Sequence, residues 1–231
     1  MTNTHRVATN YPTTLQELGH HINQQDLQDL VCNFIFYQEN PRETPLPPAQ
    51  TIQWLTAGVS HLSVFHSATT VFRAPNNLSG TGGMYRETIH STPKWKSGGT
   101  IAPCCDCIFI NNGSDEPGVK GLDVARVHLF FSFEIEGKSY CCALIHNFHR
   151  TFTEPDPDNG LWVVEPECNQ NGSRFMSIVY VDSIVRAAHL LPIFGGTSTL
   201  PPELQFTHTL NSFCVFYINK YIDYHAFETV F

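Results

Sequence analysis

The sequence predicts an α+β protein: a small antiparallel β-barrel with helices ahead of it and one helix behind it. Three observations predict this. Between residues 105 and 196, short runs rich in β-branched and aromatic residues alternate with turn residues, about five or six strands. Between residues 14 and 39, apolar residues recur at helical intervals. In the tail, Phe213, Phe216, Tyr217, Tyr221 and Tyr224 also fall at helical spacing. The chain therefore divides into an N-terminal helical segment with a Pro-rich linker (1–50), a strand and loop connector (51–104), the barrel (105–196) and a C-terminal helix packed on it (197–231).

Each element has a local reason. Thr14 and Glu17 fit a capping box, in which hydroxyl and carboxylate satisfy the free amides of a helix start. Leu15, Leu18 and Ile22 give one apolar stripe, and Leu27, Leu30, Val31, Phe34 and Ile35 a second, with His20 to Asn23 as the break. The second stripe carries Asp26 and Asp29, so it reads as a packing helix rather than a DNA-reading one. Four prolines in NPRETPLPPAQ (40–50) make a linker or extended arm. HLSVFHSATTVFR (61–73) reads as one strand, and NNLSGTGG (76–83) as a turn-rich loop without the GK[ST] ending of a phosphate loop.

Within the barrel, Asp106–Ile110 and Val124–Glu136 are strands, Gly137–Lys138 a turn, and Ser139–Phe148 the return of a hairpin. Glu154–Asn159 is an acidic, Pro-rich loop. Leu161–Val164, Ser177–Val181 and Leu191–Phe194 complete the set, with Ser183–His189 either a helical turn or a strand edge.

Composition excludes several classes. At 42% hydrophobic residues the chain is not disordered, and no apolar run approaches the roughly 18–20 residues of a membrane helix. Of the net charge of −8, residues 1–100 contribute none and residues 101–231 all of it. No basic footprint marks a nucleic-acid surface, so strong autonomous DNA binding is not expected. The opening MTNTHRVATNYPTT lacks a secretion signal, and eight cysteines then read as reduced thiols of an intracellular protein, nuclear or cytoplasmic. Cys142 and Cys214, inside apolar runs, read as small core residues.

Four constellations could carry chemistry. Cys105, Cys107, Cys142 and His146 share faces of adjacent strands by alternation, and zinc is the one cofactor they could hold. Cys142 with His146, or Cys107 with a histidine, could form a nucleophilic pair, but no glycine-flanked turn supports it. Asp123, Glu165 and Asp182, near strand ends with Glu167, could form a metal-dependent nuclease centre. Tyr140, Phe148, Phe152 and Trp162 could form an aromatic cage for a cationic side chain, helped by Glu154, Asp156 and Asp158 nearby.

A resemblance covers roughly residues 15–231. Gly121-Leu122-Asp123-Val124-Ala125-Arg126-Val127, Leu129 to Phe133, Cys142-Ala143-Leu144-Ile145-His146, Glu154-Pro155-Asp156, Gly160 to Pro166, Asp182 to Leu190, Tyr217 to Asp223 and His225-Ala226-Phe227-Glu228 resemble blocks of fungal Plavaka-type DNA transposon proteins. Upstream, Val64 to Ala68 and Gly82-Gly83-Met84 also fit. The resemblance implies the region downstream of the transposase nuclease core, so none of the family's catalytic carboxylates is carried onto this chain. Cys104, Cys105, Cys141 and Asn147 depart from the pattern. More loosely, the order of Asp106 to Phe109, the hairpin and the closing His189-Leu190-x-Pro192-Ile193 is similar to BAH domains, β-rich chromatin modules. Together these imply a non-catalytic, transposon-derived targeting module. Its partners would be protein, a histone tail or nucleosome, or other transposase domains. A metal-dependent nuclease on Asp123, Glu165 and Asp182 is the alternative, and an orphan scaffold domain the third.

Overall fold

The computed structural model describes residues 3–4, 7–40, 58–73, 83–97, 100–195, 204–205 and 208–230. Its spine is one long hairpin, β7 (Leu122–Ile135) and β8 (Lys138–Arg150). Glu136 and Gly137 both have positive φ, 51° and 79°, which makes a two-residue turn whose twist matches paired strands. That is one residue earlier than Gly137–Lys138. Leu129 pairs with Leu144 while Val127 pairs with Ile145, so His128 is an extra residue in β7, a bulge.

The two ends of the spine do different jobs. Toward the turn, β2 (Ser60–Phe65) pairs with β7 and β10 (Met176–Tyr180) with β8. Phe131, Phe133, Tyr140, Cys142 and Leu144 on this half pack under α1 (Leu15–His21) and α2 (Leu27–Glu39), against Leu18, Leu27, Val31, Phe34 and Ile35. Thr14 caps α1 as expected, its hydroxyl oxygen accepting from the Glu17 amide. The Glu17 carboxylate accepts a hydrogen bond from the Thr14 hydroxyl at 2.9 Å, which leaves the box half-formed.

The other half of the spine belongs to the barrel. The order is β11 (Ile184–Ala188), β6 (Cys107–Asn111), β7, β8, β9 (Val163–Pro166), β13 (Phe216–Ile218), β12 (Leu190–Pro192). Its first and last strands are consecutive in the chain, separated only by His189, so the seven-strand path nearly closes on itself. The His189 carbonyl accepts from the Asn219 amide, which fixes the corner to the residue that follows β13. Cys107, Phe109, Val124, Phe148, Trp162, Val164, Phe216 and Ile218 fill the interior. The fold is thus α+β with a small antiparallel barrel, as the sequence predicts.

A second sheet runs β1 (Asn3–Thr4), β3 (Ser67–Arg73), β4 (Met84–Ser97), β5 (Thr100–Cys105). It explains two differences from the sequence reading. Residues 61–73 are not one strand but two, divided at His66, with β2 in the larger sheet and β3 in this one. Cys105 and Cys107, read from the sequence as sharing a strand face, are likewise divided, at Asp106, and the strand expected over Asp106–Ile110 starts at Cys107. The backbone crosses between sheets there: Ser91 N–H donates to the His66 carbonyl, Asp106 N–H to His90, and Val127 N–H to Asp106.

The tail also differs. Residues 211–227 do not form one helix. A short helix α3 (Thr209–Ser212) leads into β13, and α4 (Tyr224–Val230) follows. Phe216 and Ile218 alternate into the barrel, so the aromatics obey a period of two where they matter. Ser183–His189 resolves into a 3₁₀ turn (Val181–Ser183) and strand β11. Cys214 is exposed rather than in the core. The linker at 41–50 and most of the 76–83 loop lie outside the described residues. Among the described residues, no helix is long and apolar enough to cross a membrane.

Candidate functional site

The zinc set read from the sequence is not brought together. Cys105 ends β5, paired with Ser91, while Cys107 opens β6, paired with Arg126. The break at Asp106 therefore puts them in different sheets. Cys142 and His146 do share a face of β8, but four residues at about 3.3 Å each set them about 13 Å apart. Face parity is necessary for shared ligation; distance along the strand decides it. Burial also pushes the Cys107 and Cys142 thiols up, away from the thiolate form that a nucleophile needs.

The nuclease carboxylates are separated as well. Strand register places Asp123, His149 and Glu165 in one row across β7, β8 and β9. Asp182 sits beside Cys141, whose thiol it helps push up after burial, at the other end of β8. Eight residues of strand, about 27 Å, lie between.

The cage aromatics face three different ways. Tyr140 is buried under the helices, stacked on Phe133. Phe148 and Trp162 are buried in the barrel. The Trp162 ring already has Arg150 at 5.9 Å and Lys120 at 6.0 Å from its centroid, and Lys138 lies 4.8 Å from the Tyr140 ring. Only Phe152 is exposed, at 61%. It borders a hollow of about 410 Å³ with Glu154, Pro155, Asp156 and Val163. Asp156 holds this loop in shape: its carboxylate accepts from the Tyr217 hydroxyl at 2.9 Å and from the Asp158 and Asn159 amides. Those three donors, the Tyr217 hydroxyl first, hold its pKa below the usual carboxylate range. Lys220 Nζ donates to the Gly160 carbonyl from the other side.

A metal-competent set that the sequence reading missed sits at the sheet crossover. His90, Cys104 and Asp106 place one donor atom each within 4.8 Å of one another. His90 Nδ1 lies 3.1 Å from Asp106 Oδ2, and Cys104 Sγ 3.6 Å from Oδ1. Tetrahedral zinc with bonds of about 2.0–2.3 Å has ligand–ligand edges of about 3.3–3.6 Å, close to these. Alternation along one strand pairs Cys105 with Cys107 and hides this set, because His90 comes from β4 and the chain turns at Asp106. As it stands, burial and then the Asp106 carboxylate push the Cys104 thiol up to about 11, so metal entry must displace a proton. Titration with Co2+ is expected to give thiolate-to-metal absorption that Cys104→Ser removes and Cys168→Ser leaves intact. A spectrum unaffected by Cys104→Ser would show that the three donors hold no metal.

On the far side of the crossover a polar band separates the helix-covered core from the barrel interior. Arg126, with only 7% exposure, donates through Nε to the Cys105 carbonyl and through Nη1 to Asn211 Oδ1 at 2.9 Å. Arg174 Nη2 donates to that same oxygen. His146 Nε2 donates to the Glu167 carbonyl, and the His128 ring lies 6.3 Å from it. Burial lowers the His128 pKa to about 3, reinforced by Arg126 and Arg174. It lowers His146 to about 4, against the opposing pull of its carbonyl partner. Both imidazoles are neutral at pH 7.

No family model, no curated protein and no solved structure matches the chain.

Proposed function

We propose that the chain is a non-catalytic binding module of Plavaka-type transposon descent, working inside the cell and docking a basic protein segment of the histone-tail kind. The hollow at residues 152–157 carries this reading. It joins an exposed Phe152 to a wall with Glu154 and Asp156, in a loop held rigid by the Asp156–Tyr217 and Lys220–Gly160 bonds. A preformed apolar wall with carboxylates suits a lysine-rich peptide, because little entropy is lost when the site is already shaped. The Lys120–Glu154 pair at 3.5 Å is too exposed to compete strongly with an incoming cation. The net charge of −8 favours basic partners and disfavours a phosphate backbone.

Labelled nucleosomes with naked DNA of equal length as competitor test the reading. Binding is expected to survive excess DNA and to weaken about tenfold or more in the Phe152→Ala, Glu154→Lys double variant. Binding removed by DNA, or equal in the variant, would overturn it.

A further inference from the structure

Arg126 is a buried charge with no counter-charge among the described residues. It is more than nine-tenths buried. Among the described residues, no carboxylate lies within ion-pair distance of it or of Arg174. Two cations instead converge on one neutral amide oxygen, Asn211 Oδ1. Arg186, also deeply buried, has two carboxylates beside it. A buried guanidinium without a counter-charge is costly, and a like charge alongside adds to the cost. Beside the pair, His128 Nε2 is buried without a hydrogen-bond partner. The chain has 21 acidic residues, yet none of those described neutralises this place.

The unused donors define what would. After the bonds to Cys105 and Asn211, Arg126 keeps Nη2, and Arg174 keeps Nε and Nη1. Three guanidinium nitrogens from two converging forks match the three acceptor oxygens and double charge of a phosphoryl group. A carboxylate, with two oxygens and one charge, would leave the second guanidinium uncompensated. Access runs past Asn211, which is exposed on the short α3 turn.

We propose that Arg126 and Arg174, with Asn211 at the mouth and His128 at the back, form a binding site for a phosphoryl group carried on a protein side chain. The incoming oxygens take the three unused guanidinium nitrogens, while the Asn211 amide oxygen stays between the two forks. Two observations favour a side-chain phosphate over a nucleic-acid backbone. Arg126 is recessed, within reach of a group on a thin tether but not of a duplex surface. The acidic second half of the chain also repels a polyanion.

The test uses the whole chain at constant ionic strength, with O-phosphoserine, serine, inorganic phosphate and a short single-stranded DNA as probes. The readout is the ring resonances of His128 and His146. O-phosphoserine and phosphate are expected to shift both saturably and to displace one another, while serine shifts neither. Arg174→Gln is expected to weaken both probes by about tenfold or more. Arg174 is half-exposed and makes one side-chain bond, so this variant should melt with the wild type, and its melting curve is recorded to confirm folding. The proposal is overturned by no saturable shift, by equal affinity in Arg174→Gln, or by phosphate binding with O-phosphoserine excluded. DNA binding as tight as O-phosphoserine would also overturn it, by assigning the site to a backbone phosphate.

Discussion

Asp223→Asn is expected to destabilise the protein by about 3 kcal/mol, although Asp223 is itself half-exposed. The reason is its partner. Arg186 on β11 is 2% exposed, and Asp223 receives both of its terminal nitrogens, at 3.2 and 2.6 Å. Removing one member of such a pair leaves a buried charge short of compensation, typically worth 3–5 kcal/mol (about 3 here, because Glu87 remains at 3.7 Å). Asp223 also caps α4, its Oδ1 accepting from the Ala226 amide, while Glu87 Oε2 accepts from the Ala187 amide. One arginine thus ties the barrel to the second sheet and to the tail, with Phe72 under its guanidinium at 4.9 Å. In a chain of this size the loss corresponds to a fall in melting temperature of about 6–12 °C.

The acid limb of the stability curve gives a second reading of the same variant. Burial raises the Asp223 pKa, but the hydrogen bonds from Arg186 and Ala226 outweigh it, and the net shift is downward. A depressed carboxylate contributes stability above its unfolded value, about 3.9, and loses it as pH falls through the lower folded value. The gap between wild type and Asp223→Asn should therefore be full at pH 6 and shrink as pH falls below the unfolded value and through the lower folded one. Glu87 moves the other way, raised chiefly by burial, so it protonates first on acidification and costs stability while charged. Arg186→Met should be milder than Asp223→Asn, since it removes the buried charge rather than stranding it. An Asp223→Asn melt indistinguishable from wild type, or a gap independent of pH, would refute this account.

The barrel and the two N-terminal helices were legible in the sequence because each depends on local periodicity. Leu18, Leu27, Val31, Phe34 and Ile35 are buried as the helical stripes require. The β7–β8 hairpin declares itself by β-branched and aromatic alternation around Gly137. Breaks within continuous β-like sequence were not legible. His66 and Asp106 are each flanked by strand residues on both sides, and only the crossover between sheets turns the chain there. The candidate sites failed for the same reason. Alternation correctly put Cys142 and His146 on one face, but which strands sit beside them is a long-range fact. The bulge at His128 is also silent in the sequence, and it shifts the alternation of β7 by one residue. That shift brings Arg126 onto the face of Phe131 and Phe133, where the polar band begins.

Phe216→Ala is expected to cost about 3–4 kcal/mol, within the range for deleting a buried aromatic side chain. Phe216 is fully buried in the barrel interior, edge-on to Phe148 at 6.0 Å, and its strand β13 bridges β9 and β12. β12 is joined to β11 through His189 alone, so β13 is the strand that lets the barrel close. Only two register pairs hold it to β9 and three to β12, so side-chain burial rather than the ladder supplies most of its stability. Loss of the ring leaves a cavity that the closed wall cannot collapse into easily, which adds to the transfer cost. Tyr221, five residues on and 65% exposed, provides the contrast: Tyr221→Ala should stay within about 0.5 kcal/mol of wild type. A surface helix over 211–227 would bury its residues along a single stripe, and would not place such a large cost on Phe216 together with such a small one on Tyr221. Equal small losses at both positions in denaturant melts would mean that the tail does not close the barrel. A large loss confined to Phe216 would fix β13 as its closing strand.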